Sequence, residues 1–375
     1  MRSRVLTTLS VVVVSSALAC GDHAAAADQA EVGGDIAAQI AQRVEVREDP
    51  TIFALFTMLN AAGYDEESHP EMHPVRRAVR SALVRRLPDS VFARLQAYYT
   101  AHAAIADPRA YSVVAMATSG APNFAPTADW TNDLSKQAQF RSLAGLAAQL
   151  RSFGRAFPID SVYRTQQVAY RAYIADYTAA IRREVTAVLR YARVHDAGEL
   201  AGSGERGRAV VIPNLLLSYE RAYSFVLGGT FYSVEGPQAV VGYNPHEFIH
   251  AITNAASYDT ARYAVAQRRA AAAYAGVRTL PAMAEFKSLA AFLDENLVRA
   301  VALRSRAAVD PAREASATAA AATDALKGFV LVPYFCEQLK TYEKQSQPLR
   351  VYYPHLFEQL DAQRELTRWR VPANR

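Results

Sequence analysis

From Pro50 to about His195, apolar residues recur at helical spacing almost without interruption. Ile52, Leu55, Phe56 and Leu59 form one stripe, and Val75, Val79, Leu83 and Leu87 a second. Each stripe lies on one face of a 3.6-residue repeat. Asp160 to His195 reads as a long helix carrying Tyr163, Tyr170, Tyr177 and Tyr191 seven or fourteen residues apart, the repeat a packed helix seam requires. A short strand is expected at Val44-Glu45-Val46. Gly198, Gly202, Gly204 and Gly207 mark a loop, after which the pattern changes. Arg208 to Leu217 and Ala222 to Val234 are β-branched and aromatic runs, expected as two strands. From Tyr243 to about Leu366 the chain reads as helical again. No internal repeat and no linker rich in Pro or Ser is evident. The expected fold is α+β, mainly α, in one domain over residues 42–375. Its parts are helices over 42–200, strands and a helix over 208–256, and helices over 257–375.

The first twenty residues read as an address. Arg2 and Arg4 form a positive start, Val5 to Leu18 an apolar run, and Ala17-Leu18-Ala19-Cys20 follows. A membrane span needs roughly 20 apolar residues, and this run is shorter and interrupted by Ser and Thr. A Cys after a small residue at this point matches a bacterial lipobox, although Ala17 stands where Leu is usual. Residues 1–19 are then a signal peptide, Cys20 the lipidated N-terminus, and residues 20–41 a flexible tether. The implied location is the bacterial cell envelope, anchored to the membrane by lipid. Cleavage near Ala24 to Ala27 with ordinary secretion is the alternative. Cys336, in an apolar neighbourhood, is expected as a buried, inert thiol.

Composition adds exclusions. With 51% hydrophobic and 21% charged residues the chain is globular rather than disordered. The net charge of +5 is small, and Arg2 and Arg4 of the leader contribute to it. No segment gathers Lys and Arg with interleaved aromatics, so no nucleic-acid partner is expected.

His246-Glu247-Phe248-Ile249-His250 carries the candidate chemistry. Asn244 suits an N-cap and Pro245 a first helical position. Residues i and i+4 stack on one helix face, so both imidazoles aim the same way. Phe248, Ile249, Ile252 and Ala255 fall on the opposite side, leaving His246, His250, Asn254 and Ser257 on the cleft-facing stripe. Catalytic zinc takes three protein ligands and a water. A metzincin third ligand would need Gly at 253 and His or Asp at 256, where Thr253 and Ala256 stand. A Glu on a following helix remains, and Glu295 fits best. Its helical neighbours Ala291, Phe292, Val298 and Ala302 are small or apolar, and a carboxylate turned into them needs a positive partner. A metal would be that partner, with Arg299 the structural alternative. Glu285 and Asp259 are reserve candidates. His69, His73, His102, His195 and His355 read as surface or capping histidines.

The stretch GYNPHEFIHAITN, followed by DENLVRA, resembles a family of bacterial gluzincin-like proteins catalogued as a domain of unknown function. That family shows HEF-x-H with an Asn four residues on, then E-N-x-V-R-A. The segments REDPTIFALFTMLNAAGYDE and LKTYEKQSQPLRVYYPHLFEQL are also similar to its ends, so the likeness spans most of residues 42–362. Ala255 departs from it, standing where the family tends to have Pro. The resemblance implies a zincin-like metallopeptidase fold, with a small sheet preceding the HExxH helix, and supplies no substrate.

The expected function is zinc-dependent hydrolysis, with a peptide or protein as substrate. Zinc lowers the pKa of its water and polarises a carbonyl. Glu247 would serve as general base. Arg299, Tyr243, Tyr258 and Tyr232 are candidates for stabilising the oxyanion or contacting substrate. The strand from Tyr223 to Tyr232 is expected along the cleft, where an extended peptide could pair with it. A binding or scaffolding lipoprotein on the same fold is the rival reading, and a zinc esterase or amidase a second.

Overall fold

In the computed structural model, residues 35–64, 72–102, 107–132, 134–196, 208–219, 221–237 and 245–369 are described. The leader, Cys20, His69, Tyr243 and Asn244 lie outside them. The helices are α1 (Ile36–Gln42), α2 (Pro50–Ala61), α3 (Pro74–Arg86), α4 (Asp89–Ala101), α5 (Pro108–Met116), α6 (Ala128–Asn132), α7 (Ala138–Arg141), α8 (Leu146–Ala156) and α9 (Ile159–Ala192). After the strands come α10 (His246–Tyr258), α11 (Ala264–Val277), α12 (Leu289–Val309), α13 (Glu314–Leu326), α14 (Val332–Tyr342), α15 (Leu349–Tyr352) and α16 (Ala362–Arg368). The strands are β1 (Glu45–Val46), β2 (Arg208–Pro213), β3 (Ala222–Leu227) and β4 (Thr230–Glu235). The protein is therefore mainly helical, with one small mixed sheet.

Local chemistry starts the helices where the pattern places them. Asp49 caps α2 by accepting from the backbone N–H of Thr51 (2.9 Å) and Ile52 (3.1 Å), and Pro50 takes the first helical position. His73 caps α3, its Nδ1 accepting from Val75 N–H at 3.2 Å. Every residue of α2 from Ile52 to Ala61 is buried, which makes it the central rod of the N-terminal core. The tyrosine seam of α9 is packed as its spacing implies. Tyr163 meets Phe53 at 4.9 Å, Tyr191 meets Tyr342 at 5.7 Å, and the buried Tyr170 hydroxyl accepts from Leu215 N–H at 3.2 Å.

The sheet runs β1-β2-β4-β3, with β1, β2 and β4 parallel and β3 antiparallel to β4. It separates two apolar cores. Val210, Ile212 and Val234 point into the core of α2, α3, α5 and α8, while Ala209, Val211 and Phe231 point into that of α10, α12 and α14. Burial on both faces explains why β2 is apolar at successive positions rather than alternating. The long α9 serves both cores, the first through Ile159, Val162 and Tyr170 and the second through Ile181, Val185 and Leu189.

Three expectations are corrected here. The tether does not reach residue 41, because Asp35 caps α1 and Ala37, Ile40 and Ala41 are buried in the α10-side core. The first β run ends at Pro213, where Asn214 folds the chain into a turn by accepting from Leu216 N–H at 3.1 Å. The second run is a hairpin rather than one strand. Gly228 and Gly229 have φ of 55° and 69°, the left-handed pair a two-residue turn needs and β-branched residues resist. From Asp35 onward the chain forms one compact unit, and no helix among the described residues is long and apolar enough to cross a membrane. Cys336 is a free, buried thiol whose pKa burial pushes up to about 12, as an inert cysteine requires.

Candidate metal centre

Helix α10 carries the motif on a face that leaves the core. Phe248, Ile249 and Ile252 are buried, Phe248 edge-on to Phe231 of β4 at 5.9 Å. The side chain of Ala255 lies outside the described residues. His246 and His250 stay partly open, with 22% and 17% of their side chains exposed. Their rings stand nearly perpendicular, centroids 5.0 Å apart. His246, Glu247 and His250 each offer a ligand atom within 4.8 Å of the others, so this group could hold a metal ion.

Helix α12 brings Glu295 to the same point. Its Oε2 lies 3.5 Å from His246 Nε2 and 3.6 Å from His250 Nε2. Donors about 2.0–2.1 Å from a tetrahedral zinc are about 3.3–3.4 Å apart, close to the distance of Glu295 Oε2 from each histidine nitrogen. The other oxygen, Oε1, takes the Nε–H of Arg299 at 2.6 Å. Arg299 is in turn held by Asp324 Oδ1 at 3.2 Å and lies over the Phe329 ring at 3.9 Å. Burial alone would raise the Glu295 pKa, yet His246, Arg299 and His250 hold it far below the carboxylate range.

Asp294, one residue earlier, fixes the second histidine. Its Oδ2 sits 2.5 Å from His250 Nδ1, and its Oδ1 accepts from Thr253 Oγ1 at 2.5 Å and Ser257 Oγ at 3.3 Å. A donor hydrogen on Nδ1 leaves Nε2 with its lone pair toward the site, the tautomer a metal needs. Burial lowers the His250 pKa, but the charge and hydrogen bond of Asp294, with Glu247 and Glu295 behind, raise it to about 9. Asp294, Glu247 and Glu295 thus place negative charge about His250.

The site opens into a cleft of about 790 Å³. One wall is His246, Glu247, His250, Asn254, Glu295 and Arg299; the edge strand β3 runs along it; α5 and α7, with Asp107, Leu134 and Gln137, form the far side. A second hollow of about 460 Å³, between α1 and α9, is lined by Gln, Thr, Ala and Arg and holds none of this chemistry.

Other expected residues fall elsewhere. Tyr232 stacks on Phe225 at 5.3 Å and packs against the N-terminal core, on the sheet face turned away from α10. Ser257 is buried against Asp294 rather than facing the cleft. Pro245, not Asn244, stands at the N-cap of α10. The Tyr258 side chain lies outside the described residues. Asp259 is exposed beyond α10, accepting from Arg262 N–H at 2.8 Å, whereas Glu285 is exposed on the cleft lining. His102 binds the carbonyls of Tyr98 and Ser142, and His355 pairs with Glu358 at 2.6 Å, both away from the site. The hold of Asp294 on His250, backed by Thr253 and Ser257, was not read from the sequence. A paired Asp-Glu inside the apolar run of α12 was its one visible signal.

Glu235 was also not anticipated. It is buried on the α10 side of β4, accepting from Ser233 Oγ at 2.6 Å. Burial lifts its pKa from 4.5 to about 8, with Glu247 adding to the rise against the Ser233 hydrogen bond. The folded state therefore binds more protons than the unfolded between pH 4.5 and about 8, and stability falls as pH rises through that window. Glu235→Gln keeps the acceptor and removes the ionisation. Its melting temperature should match wild type near pH 4.5 and exceed it at pH 8.5; equal melting temperatures at both pH values would refute this account.

Compared with protein-family models, with curated proteins and with solved structures, the chain matches none. Fold and site together define a mainly helical α+β protein whose His246-Glu247-His250 group could hold a metal ion.

Proposed function

We propose that the protein is a zinc-dependent peptidase of the gluzincin kind, on a zincin-like fold. The observation that carries this reading is convergence. Glu295 Oε2 on α12 lies 3.5 and 3.6 Å from the Nε2 atoms of His246 and His250 on α10, with Asp294 holding His250 and Arg299 holding Glu295. His246, His250 and Glu295 would hold the ion, and nitrogen with carboxylate donors suits zinc. Bound there, zinc supplies Lewis acidity toward a carbonyl and acidifies a water toward neutrality. Glu247 is on the first turn of the same helix and lines the cleft, so its carboxylate takes the proton from water and delivers it to the leaving amine. Arg299 is committed to Glu295 and Asp324, so its role is to fix the ligand carboxylate.

The sheet supplies a place for an extended substrate. Leu227 and Thr230 close the two-residue turn, so Leu227, Phe225 and Tyr223 direct their backbone groups to β4. Ala222, Ser224 and Val226 then direct theirs to the outer edge, which among the described residues pairs with no further strand and borders the cleft. The test is a mixed peptide library followed by mass spectrometry. Cleavage should appear with the purified protein, vanish with a zinc chelator and return with added zinc. Full cleavage after verified metal removal would defeat the reading.

A further inference from the structure

The cleft has two chemically different sides. On the α10 side stand histidines and carboxylates; on the other, beside Asp107, Arg109 and Gln137, stand Ala110, Val113, Leu134, Phe140 and Phe225, apolar members of the N-terminal core that line the cleft. We propose that this apolar wall is a specificity subsite, taking bulky apolar side chains from every second position of a peptide paired with β3. The proposal rests on the peptidase reading above and adds the substrate class to it.

The strand register carries the argument. Phe225 and Tyr223 point to the N-terminal core, stacked 6.4 Å apart, while Ser224 and Val226 alternate to the α10 face. A peptide added at the edge of β3 continues the pleat of the sheet. Its side chains alternate likewise, one set meeting the side of the metal centre and the other meeting Phe225 and the wall behind it. Consecutive residues on the wall side are about 6.8 Å apart, twice the rise of an extended residue. Asp107 and Arg109 on the same side pair with each other at 3.2 Å, so a charged side chain set over Ala110, Val113, Leu134, Phe140 or Phe225 would lose water without gaining a free partner. Burying one large apolar side chain corresponds to about a ten- to hundredfold gain in affinity.

The probes are N-acetyl tripeptide hydroxamates carrying Phe, Leu, Gly or Asp at one position at a time, titrated calorimetrically into the zinc-loaded protein. Phe and Leu should bind at least about tenfold tighter than Gly or Asp at one position, and not at its immediate neighbour. Ala110→Phe should fill the wall and bring that ratio close to one, and Phe140→Ala should reduce it, both with unchanged circular dichroism. Hydroxamates that all bind alike, or equal preference at adjacent positions, would overturn the subsite and leave the peptidase reading standing. No binding by any hydroxamate would remove the peptidase reading and the subsite with it.

Discussion

Zinc titrated into the metal-stripped protein should bind at about one ion per chain, and His246→Ala or His250→Ala should abolish binding. In the proposed site His246, His250 and Glu295 hold the ion, so a carboxylate with one imidazole left would leave zinc two ligands short of four-coordination. Losses should grade with distance from that site. Glu295→Gln removes the charged donor that Arg299 holds at 2.6 Å and should cost orders of magnitude in affinity. Asp294→Asn leaves every donor in place but exchanges the acceptor at His250 Nδ1 for an amide, and should cost about 10- to 100-fold. Asp259→Asn, exposed beyond α10, should bind as wild type. Equilibrium dialysis with metal analysis reads all of these. Stoichiometric zinc in both histidine variants would end the proposal, and a loss confined to Asp259→Asn would place the third ligand elsewhere.

How much of this was legible in the chain depends on whether the signal is local. The stripe of α2 and the tyrosine seam of α9 are periodic in sequence because one helix face meets one neighbour, so both were readable. The histidine pair was readable for the same reason, since a helix brings i and i+4 together unaided. Glu295 could be singled out because a carboxylate among Phe292, Val298 and Ala302 contradicts its surroundings. The partnership of Asp294 with His250 could not, because it joins residues 44 apart across two helices. The turn at Gly228-Gly229 was hidden inside a β-branched run, where glycine also occurs as a bulge. Helix α1 was missed because its seven residues are Ala-rich, and only contact with α9 distinguishes them from a tether. The apolar wall was likewise invisible, since Val113, Phe140 and Phe225 belong to three elements that only the fold assembles.

Glu247→Gln should fold as wild type, retain zinc and lose nearly all hydrolysis. Glu247 sits on the turn between the two histidines and lines the cleft, and the proposed ligand set of His246, His250 and Glu295 does not require it. The substitution keeps size and most hydrogen bonding but leaves at position 247 no group able to take a proton from water near neutral pH. A positioned general base contributes about 100- to 10,000-fold in rate, so turnover of any substrate found by library screening should fall by that factor. Zinc content, melting temperature and hydroxamate affinity, measured on the same preparation, should stay close to wild type. That combination separates an enzyme from a binding protein, because a scaffold would lose nothing measurable on this change. If wild type and Glu247→Gln cleave equally well, the proton is moved by another group and the role assigned to Glu247 is wrong. If neither cleaves any peptide, ester or amide offered while both bind zinc, the fold serves binding rather than hydrolysis.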